Sequence, residues 1–163
     1  MTYQNLVYVI VCLCFTVILG AGIYEHTAIW PHAFSEPPRS LKMFLGNFQL
    51  NSDTFWTFIH TITLVLFLIA LKLNWTSAWR LHLLIPLVVY AVLLISTFTY
   101  FVPELIKLIS TQYSDTIDTS LQYQSSMWIK LSLFRLFIIL SMSIFLLMGL
   151  TKPSTSQFSN PGK

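Results

Sequence analysis

Four stretches of this chain run apolar for about 20 residues each, the length a helix needs to cross a bilayer. They extend from about Gln4 to Tyr24, Phe55 to Leu73, His82 to Val102 and Trp128 to Leu150. Polar positions collect between them, in a long first connection from Glu25 to Thr54, a tight turn around Asn74 to Arg80, and a third connection from Pro103 to Met127. The pattern predicts an all-α fold, a four-helix transmembrane bundle over residues 1–150. Pro31, Pro37 and Pro38 stiffen the first extracytoplasmic loop, which is expected to be partly ordered and able to cover the helix ends or act as a lid. The Ser-, Pro- and Gly-containing tail, residues 151–163, is expected to be a disordered cytoplasmic segment.

Composition agrees with that architecture. The 163 residues are 55% hydrophobic and 9% charged, against about 25% charged in a soluble domain, and the mean hydropathy is +0.70. Such a chain cannot cover a water-facing surface with polar groups, so the lipid bilayer is its expected solvent and partner. The net charge of +3 is scattered without a basic cluster, which argues against a nucleic-acid partner. Cys12 and Cys14 lie two apart on one helix and point in different directions, so neither a disulfide nor a redox pair is implied. Nothing basic precedes the first run except the amino terminus, and the run is long for a signal peptide, so it reads as a retained anchor.

Orientation follows from the basic residues. Lys72, Arg80, Lys152 and Lys163 fall on one side with no acid, whereas every Asp and Glu falls on the other with Arg39, Lys42, Lys107 and Lys130. Short loops near helix ends carry most of this signal, so both termini are expected in the cytoplasm of a cell whose multi-pass plasma membrane is a bacterial inner membrane. Asn74-Trp75-Thr76 is a formal glycosylation sequon that this topology would leave bare.

A few ionisable residues stand out against the apolar background. Glu25 and His26 end the first run, His60 lies about one turn into the second, and Glu104 follows Pro103 at the end of the third. Arg135 lies about two turns into the fourth, on one stripe with Trp128 and Ser132. All five belong to the same third of the bundle. A charge at the depth of Arg135 costs at least about 3 kcal/mol unless paired or hydrated, and Glu25 or Glu104 would suit a bidentate bridge to it. On that basis Glu25→Gln is expected to lower stability. Each residue also has a plain structural role. Arg135 with Glu25 would pin the first helix to the fourth, His60 would bond a neighbouring hydroxyl or carbonyl, and Glu104 would mark a helix end. Trp30, Trp56 and Trp128 would form one interfacial belt, and Trp75 and Trp79 the other. Gly20 and Gly22 would let a helix approach closely, and Pro86 would kink the third helix.

The order of short motifs resembles a family. Gly20-Ala21-Gly22-Ile23-Tyr24-Glu25, Trp30-Pro31, Pro37-Pro38-Arg39-Ser40, Phe55-Trp56, Phe101-Val102-Pro103 and Trp128-x-x-x-Ser132-x-x-Arg135 are similar to the signature of small four-helix bacterial membrane proteins related to anthrone oxygenases. Ser132 stands where that pattern has Asn, and His60 departs from it. The resemblance implies oxidation of a flat phenolic or ketone substrate by dioxygen without a cofactor. His60 or Glu25 would be the base, Arg135 would stabilise the anion, and Trp56, Phe101, Glu104, Trp128 and Ser132 would contact the substrate. Two other classes stay open. One is a bundle without chemistry, either a binder of a small apolar ligand or lipid or an accessory subunit, in which the polar cluster fixes helix register. The other is a metal protein with Glu25, His26, His60 and Glu104 as ligands. A cavity beside His60 and Arg135 with a free base would favour the enzyme; a closed, fully satisfied network would favour the structural reading.

Overall fold

The computed structural model describes residues 2–152, and these form an all-α bundle of four helices long and apolar enough to span a membrane. The chain is a multi-pass membrane protein. The helices are α1 (Tyr3–Ala33), α2 (Asp53–Leu73), α3 (Arg80–Ile109) and α4 (Thr119–Thr151). The tail beyond Lys152 lies outside the described residues; Thr151, assigned to it from sequence, instead closes α4 in a 3-10 turn.

Three helices are longer than their apolar runs. At 1.5 Å per residue, the 31 residues of α1 extend for about 46 Å, against a hydrocarbon core of about 30 Å. The 21 residues of α2 reach only about 32 Å. So α1, α3 and α4 project beyond α2 at the end of the bundle away from the chain termini, here the distal end. The projections were hidden in sequence because helix beyond the bilayer need not be apolar. The start of α4 was nevertheless marked by Asp118, whose carboxylate accepts from Ser120 N and Leu121 N at 2.8 and 3.1 Å.

Two of the long helices contain a π turn, Glu25–Ile29 in α1 and Thr97–Phe101 in α3. Each is followed, two residues later, by a proline: Pro31 and Pro103. A proline inside a helix removes one hydrogen bond and pushes its ring at the carbonyl four residues back. A wider preceding turn relieves both effects, so the helix continues where sequence reasoning ended it. The carbonyls concerned belong to Thr27 and Thr99, and both threonine hydroxyls bond back along the helix, to Ile23 O and Ile95 O at 2.8 Å each.

Apolar side chains cover these helices all round, but only one stripe faces inward. In α1 it is Val7, Tyr8, Val11, Cys12, Phe15, Ile18 and Leu19, while Leu13 and Val17 remain exposed to lipid. Lipid tails are as apolar as leucine, so packing and hydrogen bonds rather than hydrophobic burial select the stripe. Mid-bundle, Phe15 meets Phe67 and Tyr90 edge-on at 5.6 and 5.3 Å. At the terminal end Tyr8 Oη donates to Leu146 O at 2.7 Å, and Trp79 Nε1 donates to Lys152 O at 3.1 Å. Trp79, Trp30 and Trp128 are thus core residues, not belt residues, and Trp75 alone of the five is mostly exposed. Asn74 is buried with Nδ2 donating to Ala70 O at 2.9 Å, which removes the sequon from use irrespective of topology. Of the two glycines of α1, only Gly22 is tightly approached: a Cβ there would lie 2.8 Å from Leu136 Cδ1, whereas one at Gly20 would meet nothing.

The first connection caps the distal end. Phe34 and Leu41 pack with Trp30, Leu108, Leu121 and Trp128 in a second apolar cluster. Ser40 Oγ donates to Ala33 O at 2.7 Å, and Asp118 N donates to Pro37 O at 3.1 Å.

Candidate functional site: a polar cavity at the distal end

A cavity of about 440 Å³ lies between the four helices beneath that cap. The two π turns supply much of its wall. Glu25 and His26 come from the first, and Thr97, Phe98 and Phe101 from the second. Asp53 and Thr57 of α2 and Phe98, Val102 and Ile106 of α3 both line the cavity and are exposed, so it opens sideways between α2 and α3.

The anionic side is held by α2. Glu25 Oε1 accepts from Trp56 Nε1 at 2.8 Å. One turn further on, His60 stacks on the Trp56 ring with centroids 5.2 Å apart and planes 22° off parallel, and its Nδ1 lies 2.7 Å from Tyr90 Oη on α3. Trp56 and His60 therefore clip α2 to both of its neighbours.

The cationic side belongs to α3 and α4. Arg135 Nη1 donates to Thr97 Oγ1 at 2.9 Å and Nη2 to Ser132 Oγ at 3.3 Å. The guanidinium also sits over the Phe101 ring, 4.2 Å from its centroid. Trp128 Nε1 donates to Phe101 O at 3.0 Å, which fixes that segment. Ser132, a substrate contact on the sequence reading, is fully buried and is a support for Arg135.

The structure thus brings Glu25, His26, His60, Trp56, Phe101, Trp128, Ser132 and Arg135 around one space. Two expectations need correction. Glu104 does not join them: the extra residue of the π turn rotates everything beyond it, and Glu104 pairs at 2.5 Å with Lys107 on the outer surface of α3. Nor does Arg135 form a carboxylate bridge. The ion pairs among the described residues are Glu104–Lys107 and Glu36–Arg39. Glu25 and Arg135 both line the cavity, and no ion pair joins them.

The metal reading loses its ligand set for related reasons. Glu104 is elsewhere, His26 Nδ1 bonds Gly22 O at 2.8 Å, and no group of three metal-ligating side chains converges among the described residues.

Sequence reasoning missed Tyr90, Thr97 and Trp30, all of which line the cavity. Tyr90 carried a signal: a phenol in mid-span needs a partner for its hydroxyl. Thr97 carried none, because its position depends on the π turn. Two groups on this wall remain without a hydrogen bond although enclosed, His26 Nε2 and Trp30 Nε1. Comparisons with known proteins found no matching family model, no matching curated protein and no matching solved structure.

Proposed function

We propose that this protein is a membrane-embedded, oxygenase-like enzyme that takes a flat, apolar phenol or ketone from the bilayer and oxidises it with dioxygen. The single observation that supports this reading is that Arg135 and Glu25 line one cavity without forming an ion pair. A cation left unbridged beside an apolar void has donors to offer a developing oxyanion, whereas a register-fixing ion pair would have occupied them.

The chemistry follows from the walls. A substrate C–H or O–H proton passes to a base on the α1/α2 side, where Glu25 and His60 stand. The electron pair left behind spreads onto the substrate oxygen, which the Arg135 guanidinium holds. Dioxygen then accepts four electrons from a methylene carbon in all: one oxygen atom replaces the two hydrogens as the carbonyl oxygen, and the other leaves with both protons as water. Trp30, Trp56, Phe101 and Trp128 supply flat apolar faces, and the volume is within the usual range for small-molecule sites. The opening between α2 and α3 suits a substrate that partitions into lipid. We place the protein in a bacterial inner membrane with both termini in the cytoplasm, which puts the cavity in the outer half of the bilayer.

Oxygen uptake by the reconstituted protein with a panel of polycyclic phenolic ketones tests the reading. Uptake that is saturable and absent in Arg135→Met supports it. Stoichiometric binding with no uptake for any member would make the protein a binder of such ligands instead.

A further inference from the structure

The proposed reaction leaves two groups able to take the proton, and the buried hydroxyl of Tyr90 decides between them. Tyr90 is 1% exposed, and its Oη has one hydrogen-bond partner among the described residues, His60 Nδ1 at 2.7 Å. A buried phenol must place its hydrogen on an acceptor, because an unsatisfied O–H in an apolar interior is strongly disfavoured. Neutral imidazole has one nitrogen that accepts and one that donates. If Nδ1 accepts from Tyr90, the ring proton is on Nε2.

We infer that Tyr90 is a positioning residue that holds His60 as its Nε2–H tautomer, making His60 a hydrogen-bond donor to the ligand oxygen beside Arg135 and leaving Glu25 as the proton acceptor. This rests on the reading of the cavity as a site for an ionisable oxygen. Three further observations agree with it. His60 Nε2 has no partner among the described residues and is not enclosed, so its hydrogen is available to a ligand in the cavity. The Trp56 ring fixes the plane of the imidazole by stacking. Glu25 Oε1 accepts from Trp56, Ser52 and Trp30 lie near the same carboxylate, and Oε2 makes no hydrogen bond of normal geometry to the described residues and is likewise not enclosed. His26 does not compete for the role. Its Nδ1–H is given to Gly22 O, and the remaining lone pair on Nε2 is walled off from any ligand.

In the step so assigned, the substrate C–H or O–H bond breaks and the proton joins Glu25 Oε2. The electron pair stays on the substrate as an enolate or phenolate, whose oxygen accepts from His60 Nε2–H and from Arg135. The site then offers two donors to the substrate oxygen and one carboxylate to its proton, which selects ligands with an acidic hydrogen and an oxygen acceptor in the same conjugated system.

Nuclear magnetic resonance of the full chain, labelled with nitrogen-15 histidine and reconstituted in nanodiscs, tests this without any substrate. At about pH 8 free imidazole is neutral, and two-bond proton–nitrogen correlations distinguish the tautomers; His60→Gln assigns the signal by removing it. The expected result is Nε2–H in the wild type and a shift towards Nδ1–H in Tyr90→Phe. A wild-type ring protonated on Nδ1 overturns the inference, and so does a ring that Tyr90→Phe leaves unchanged. If Tyr90→Phe does not fold, the wild-type tautomer decides alone. Where turnover is measured, Tyr90→Phe should lower kcat about five- to tenfold with KM little changed. His60→Gln retains an N–H donor but cannot accept a proton, so it should keep more of kcat than His60→Ala; equal loss in the two contradicts the donor role. Absence of oxygen uptake would count against the oxygenase reading and leave the tautomer result standing.

Discussion

The two ends of this bundle use their polar residues in opposite ways. At the terminal end, polar side chains bridge helices directly. Tyr8 reaches Leu146 O and Trp79 reaches Lys152 O, and Gly149 admits Tyr8 and His82 so closely that a Cβ there would lie 2.8 Å from His82 Cβ and collide with Tyr8 Oη. At the distal end, the polar side chains are held by uncharged neighbours and not paired with one another. Trp56 holds Glu25, Tyr90 holds His60, and Thr97 and Ser132 hold Arg135, all around a void. In lipid, where helix association gains little from hydrophobic burial, the first arrangement locks a fold and the second stores binding capacity.

Substitutions at the two ends should therefore separate stability from function. The largest effect is expected at the distal end: Arg135→Met should lower kcat/KM more than about 100-fold, as loss of an oxyanion donor does. Because no carboxylate touches Arg135, its thermal unfolding in detergent should change little. A collapse of stability in that variant would restore the register-fixing reading. At the terminal end Gly149→Ala should destabilise by about 1–3 kcal/mol through overpacking, read by thermal or denaturant unfolding, with turnover per folded molecule unchanged. Tyr8→Phe should destabilise by about 0.5–1.5 kcal/mol for one lost helix–helix hydrogen bond, again with turnover kept. The smallest stability effect is expected for Glu25→Gln, within about 0.5 kcal/mol, because a glutamine oxygen still accepts from Trp56 and no bridge to Arg135 is broken. That value reverses the expectation drawn from sequence, where a bidentate bridge made Glu25→Gln destabilising. A fall in midpoint as large as that of Gly149→Ala would show that Glu25 and Arg135 are coupled more tightly than two unpaired groups can be.

The sequence displayed the bundle and the charged members of the site for one physical reason. Apolar runs of bilayer length are unmistakable, and an ionisable residue inside one is expensive enough to need a purpose, which singled out Glu25, His60 and Arg135. What it concealed traces to the two π turns. They carry α1 and α3 past the points where polar residues begin, turn Glu104 outward, and set Thr97 against Arg135. The repeated spacing of a threonine four residues before Pro31 and Pro103 was present in the chain, but neither residue type alone distinguishes a widened turn from a helix end. The clip made by Trp56 and His60 was half legible: their spacing of four puts both on one helix face. Their partners on α1 and α3 depended on packing.

The central claim is that the distal cavity receives an oxygen anion at Arg135. The most direct measurement is a titration of the nanodisc-reconstituted protein with a bicyclic phenol, read by quenching of tryptophan fluorescence above and below the phenol's own pKa. The account predicts saturable quenching that tightens as the phenol ionises and loses that pH dependence in Arg135→Met. Equal affinity for the neutral and ionised phenol, or quenching unchanged in Arg135→Met, would contradict it.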